Sequence, residues 1–107
     1  MIAQRQSAVV RVAEAPHLCR LQAATREICR AGGQGEAAVF EAVIAVTELA
    51  HRLFIEASRA GDVSLEVLRF KHGSALEIRA EDEGAAASRR PPVSVCLNFS
   101  PARPEAS

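Results

Sequence analysis

Two hydrophobic rhythms divide the chain. Between Ala37 and Arg59 there is no Gly or Pro, and Val39, Val43, Val46, Ala50, Leu53 and Ala57 recur at steps of three and four. That spacing is one buried face of a helix. Phe40, Ile44 and Phe54 widen the face, so the stretch predicts a long core helix over 37–59. Glu41, Glu48 and Arg52 follow a second line at steps of seven and four and project together. The rest of the chain reads as a cover for this helix.

Other segments alternate. Val9, Val10 and Val12 make a short strand of Ser7 to Ala13. Pro16 suits the first turn of a following helix, where its missing N–H costs nothing. Leu18, Leu21, Thr25 and Ile28 mark the buried face of that helix to Ala31, with Arg30 at its favourable C-terminal end. Gly32 and Gly33 stop it, and Gly-Gly-Gln-Gly is a connection. A phosphate loop would follow a strand and carry Lys-Ser or Lys-Thr. Beyond the long helix, Val63, Leu65 and Val67 alternate with polar residues. Lys71-His72-Gly73-Ser74 turns the chain, and Leu76, Ile78 and Ala80 return as a hairpin partner. Asp82-Glu83-Gly84 ends that strand, and 85–92 reads as a loop. Val93, Val95, Leu97 and Phe99 form a last strand, and 101–107 a disordered tail.

The order strand, helix, helix, strand, strand, strand predicts an α/β two-layer sandwich. Its sheet is mixed or antiparallel, with two helices on one face, in a single domain over 1–100. A chain of 107 residues supports one core, and 49% hydrophobic residues with no Trp or Tyr make that core aliphatic. Thirteen basic and thirteen acidic residues leave a formal charge of zero, which speaks against a nucleic-acid binder. No apolar run approaches the ~20 residues of a membrane span. The N-terminus lacks an apolar signal core, so a cytoplasmic protein with no membrane partner is expected. Cys19, Cys29 and Cys96 are odd in number, without Cys-x-x-Cys or metal spacing. They read as buried or half-buried free thiols in a reducing compartment, with no metal site.

One constellation carries candidate chemistry. Glu48 sits in Thr47-Glu48-Leu49-Ala50-His51-Arg52, and Asp82 ends a core strand in Glu81-Asp82-Glu83-Gly84. Taken alone, Glu48 with Arg52 is an exposed pair one helical turn apart, and Asp82-Glu83-Gly84 a polar turn. His17, His51 and His72 are scattered, with His51 at or near the surface. Arg89-Arg90 is too short a pair for an anion site.

From Ser7 to Ala86 the chain resembles the first two-thirds of the anti-sigma-factor serine kinases. These belong to the GHKL superfamily, whose fold is shared by histidine-kinase ATP domains and gyrase. In the family a helix carries Glu-Leu-x-x-Asn and a later strand ends in Asp-x-Gly-x-Gly. The resemblance implies a shortened GHKL (Bergerat-like) fold. It places Glu48 on the motif Glu that orients or activates the attacking group, Asp82 on the Asp that binds the adenine amino group, and Gly84 on the first glycine. Arg52 stands where the family has its magnesium-binding Asn, and a guanidinium ligates no metal. Ala86 replaces the second glycine, and no Gly-x-Gly follows.

The resemblance therefore implies a degenerate anti-sigma-factor-like regulator in which Asp82, Gly84 and Arg52 line a remnant nucleotide cleft. It would act by binding protein, such as a sigma factor or its antagonist domain, without ATP turnover. A fold shortened at its lid leaves apolar surface uncovered, and self-association would bury it, so a homodimer is expected. The alternative is a minimal ATP-dependent serine kinase, with ATP and magnesium as cofactors and Glu48 catalytic. A third reading is a plain interaction domain whose likeness is accidental.

Overall fold

The computed structural model describes residues 2–83 and 91–99. The elements run β1 (Ile2–Val12), α1 (His17–Ala31), α2 (Glu36–Ala50) with a wider helical turn continuing it (His51–Ile55), β2 (Gly61–Phe70), β3 (Gly73–Asp82) and β4 (Val93–Phe99). The strands form one antiparallel four-stranded sheet in the order β1-β2-β3-β4. The two helices are the connection between β1 and β2 and cover one face of the sheet, so the molecule is a two-layer α/β sandwich. Residues 84–90 and 100–107 lie outside the described residues. They include Gly84, Ala86, Arg89, Arg90 and the segment read as a disordered tail.

The register shows how one face became the core. Val10, Val63, Ala80 and Val93 stand in one row across the sheet, and Leu65, Ile78 and Val95 belong to the next. Strand side chains alternate faces, so these rows point at the helices while Ser64, Arg79 and Ser94 point away. Val12, Val63, Leu65, Val67, Leu76, Ile78 and Ala80 are buried under Leu21, Ile28 and Cys29 of α1 and Val39, Ala42, Val46 and Ala50 of α2. The other face carries charge, including the Arg5–Glu66 and Arg11–Glu83 pairs at 3.5 and 2.8 Å.

Strand lengths exceed the expected ones. β1 begins five residues before Ser7, and β2 reaches Phe70 rather than Val67. Backbone pairing across the β2–β3 hairpin continues to Phe70 and Gly73 whatever the side chains. The Lys71-His72 turn and the limits of β4 stand as expected. Gly33, with φ of 83°, is the residue that adopts the left-handed conformation after α1, while Gly32 stays at −78°.

The long helix departs from one uniform period. After Ala50 its hydrogen bonds widen: the Glu56 N–H donates to His51 O and the Arg59 N–H to Phe54 O, both at 2.8 Å. This π-type step underwinds the helix. It turns Phe54 into the core, where it is 1% exposed, and leaves Ala57 outside. Ala57 was expected on the buried face, and the phase shift corrects it. Phe40 and Ile44 were expected to widen that face too, yet they are 64% and 44% exposed. Ala42, small enough for close approach, is the buried residue there. Ser58, at φ 53°, ends the helix in a conformation costly for a side chain.

Phe54 closes the far end of the core against Gly61, where a side chain would collide with the Phe54 ring and the Glu81 carbonyl. Phe54→Ala is expected to cost about 3–5 kcal/mol, the range for deleting a buried Phe. Phe40→Ser should change stability by less than about 0.5 kcal/mol, as for surface sites. Urea titration of both variants measures the contrast.

Candidate functional site

Glu48 and Arg52 border a groove between α2 and the β3–β4 pair, lined by Ala45, Leu49, Ile78 and Val95. Asp82 borders a separate pocket, lined by Leu53, Phe54, Ala80 and Val93 beside Arg59. Ile78 pairs with Val95 and Ala80 with Val93, so the same strand pair floors both. The sequence-derived residues thus divide between two sites, Glu48 and Arg52 over mid-sheet and Asp82 at the end of β3.

The electrostatics are those of separated surface groups. Glu48 and Arg52 are both exposed, and no ion pair within 4 Å joins them among the described residues. Asp82 accepts a hydrogen bond from Arg59 Nη1 at 3.4 Å. His51 is exposed and lies 3.4 Å from Glu56, on the helix and away from any nucleophile in hydrogen-bond reach among the described residues. No group of three or more His, Cys, Asp or Glu that could hold a metal ion occurs among the described residues.

Magnesium-ATP makes specific demands. A bound magnesium ion needs hard oxygen ligands, and the groove sets the permanent guanidinium of Arg52 beside Glu48. Asp82 Oδ2 is engaged by Arg59. The pair of Glu48 and Arg52 does not fit a magnesium ion, because a guanidinium offers no ligand and repels a divalent cation. What the groove offers is an apolar floor with a rim of mixed charge.

A second cleft, at the opposite end of the sheet, was missed in the sequence. Gly32, Gly33, Gln34 and Gly35 face Arg69, Lys71 and Ser74 across it. The Gln34 amide donates from Nε2 to Ser74 Oγ at 3.3 Å, while its Oε1 is buried with no partner. Arg69 lies against Gly33, so close that a side chain there would touch the guanidinium. The available signal was the pair of cations beside the hairpin turn, which the strand pattern had absorbed.

The histidine and cysteine readings sharpen. His17 Nδ1 accepts from the backbone N–H of Ala13 at 3.0 Å and of Glu14 at 3.3 Å, fixing the entry to α1. Cys29 is a buried thiol as expected, but Cys19 and Cys96 are exposed. Both lie on polar faces, Cys19 on the outer side of α1 and Cys96 on the outward positions of β4. Compared with known proteins, the chain matches no family model, no curated sequence and no solved structure.

Burial pushes the Cys29 thiol from 9.0 up to about 11. The unfolded chain therefore ionises this thiol first. The contribution is intact below about pH 9 and is lost as pH rises towards about 11. Unfolding free energy measured across that window is expected to fall in the native chain and to fall less in Cys29→Ala. In a thiol-labelling assay at neutral pH, Cys19 and Cys96 should react at once and Cys29 only on unfolding.

Proposed function

We propose that this chain is a degenerate, shortened relative of the anti-sigma-factor serine kinases that regulates by binding protein rather than by turning over ATP. The observation that carries the reading is an exposed apolar pair on α2. Phe40 and Ile44, one helical turn apart, are exposed by 64% and 44%. Large apolar side chains exposed side by side mark interaction surfaces. The charged rim at Glu48 and Arg52 would set partner choice more than affinity. A sigma factor or the antagonist domain of such a switch is the class of partner this reading names, with a second copy of the chain beside it. It acts in the cytoplasm and needs no cofactor.

Arg52 supports the loss of nucleotide chemistry, since a guanidinium is always charged and repels a divalent cation. The alternative is a minimal ATP-dependent serine kinase with Glu48 as its catalytic carboxylate, for which Glu48 and Asp82 both stand over the β3–β4 pair.

Calorimetric titration with a non-hydrolysable ATP analogue and magnesium separates the two. The native chain is expected to give no binding heat up to millimolar ligand. Arg52→Asn, which restores the family's ligand type, is expected to bind weakly. Micromolar binding by the native chain would overturn the binding-only reading in favour of the kinase.

A further inference from the structure

We propose that β4 is a self-complementary edge through which two copies of this chain pair antiparallel about a two-fold axis centred on Cys96. This rests on the self-association in the reading above and is independent of its nucleotide and protein-partner arms. The two joined sheets would be continuous and eight-stranded.

The sheet has two edges, and they are built differently. β1 carries Arg5 and Arg11, each paired with an acid of the neighbouring segments, and α1 packs on it. Charge and cover of this kind are how edges are kept from pairing with other chains. β4 reads Val-Ser-Val-Cys-Leu-Asn-Phe, with no charge and no Pro inside it. Among the described residues it has no helix cover comparable to that of β1. Pro91 and Pro92 immediately precede it and have no N–H to extend the ladder. The pairable stretch is therefore the strand itself.

The sequence of β4 matches itself when reversed. With Cys96 opposite Cys96 of the second copy, Val95 faces Leu97 and Val93 faces Phe99, both on the core side. Ser94 faces Asn98 on the outer side. Every apolar residue meets an apolar one and every polar residue a polar one, which is the condition for a specified register. A shift of two residues leaves end residues unpaired. The core-side row extends the apolar strip of Val95, Leu97 and Phe99, which are only partly buried in one copy. A single strand pair stands at the small end of specific interfaces, so a reversible dimer of about micromolar strength is expected.

The register is readable in the full chain. Directly opposed residues in an antiparallel pair have Cα atoms about 4.5–5.5 Å apart, inside the range a disulfide spans. Diamide, which accepts the two thiol hydrogens, should link Cys19→Ser into a dimer, and should not link Cys19→Ser with Cys96→Ser. Sedimentation adds a test that needs no cysteine. Ser94→Lys with Asn98→Lys sets like charges opposite each other twice and is expected to weaken the dimer at least tenfold. Ser94→Glu with Asn98→Lys sets opposite charges there and should restore or strengthen it. Both sites lie on the exposed side of the strand, and circular dichroism should show both variants folded. The proposal is overturned if the native chain stays monomeric up to about 1 mM. It is equally overturned if both double variants sediment alike, or if a dimer forms that diamide cannot link through Cys96. None of these results depends on nucleotide or partner binding, so they leave the calorimetric test to stand or fall alone.

Discussion

The fold depends on one apolar face of the sheet being covered by two helices that pack closely on each other. Val39, Ala42, Val46 and Ala50 form one narrow buried seam of α2, in the same core as Val63, Leu65, Val67, Leu76 and Ile78. The π-type turn continues that seam so that Phe54 seals its end. A regular helix would rotate Phe54 partly off the sheet and leave the cavity beside Gly61 unfilled. The extra residue in the turn is a local cost, as π-turns usually are, offset by burying the largest fully buried side chain among the described residues.

The same geometry explains why the candidate site is open. Two helices cannot cover four strands. α1 lies over β1 and β2, α2 reaches β3, and the groove runs where cover ends. Glu48 and Arg52 rim it because they lie on the outer side of α2, while Asp82 borders a separate pocket where β3 ends. The groove is a consequence of topology before it is a consequence of function. Its lining of Leu49, Ile78 and Val95 is better suited to apolar side chains than to a triphosphate, and the nearby cations are dispersed rather than convergent.

Much of this was legible in the residues. Alternation placed the inward rows of β2, β3 and β4 correctly, and the glycines after Ala31 marked the break between the helices. The two-layer arrangement followed from element order, which left the sheet mixed or antiparallel; all its pairs are antiparallel. What was not legible was a matter of phase. Periodicity assumes 3.6 residues per turn throughout, and nothing in Ala50-His51-Arg52-Leu53-Phe54 announces a wider turn. Phe40 and Ile44 extended a hydrophobic face by composition, but the seam uses the smaller Ala42. Their exposure is visible only once the sheet's position is known. The family resemblance set Glu48 and Asp82 beside one cleft, whereas they border separate pockets. The Arg59 contact to Asp82 was not legible, because it joins the turn after α2 to the end of β3 across the whole β2–β3 hairpin.

The central claim is that this sheet is locked at β2–β3 beneath the packed helix pair and, among the described residues, uncovered at the β4 edge. Amide hydrogen exchange at low and high protein concentration tests it most directly. The account predicts slowest exchange in β2, β3 and α2 at every concentration, and protection in β4 that is low in dilute solution and rises as concentration increases. Protection in β4 that equals that of β3 in dilute solution and does not change, or a concentration response in β1 instead, would contradict it.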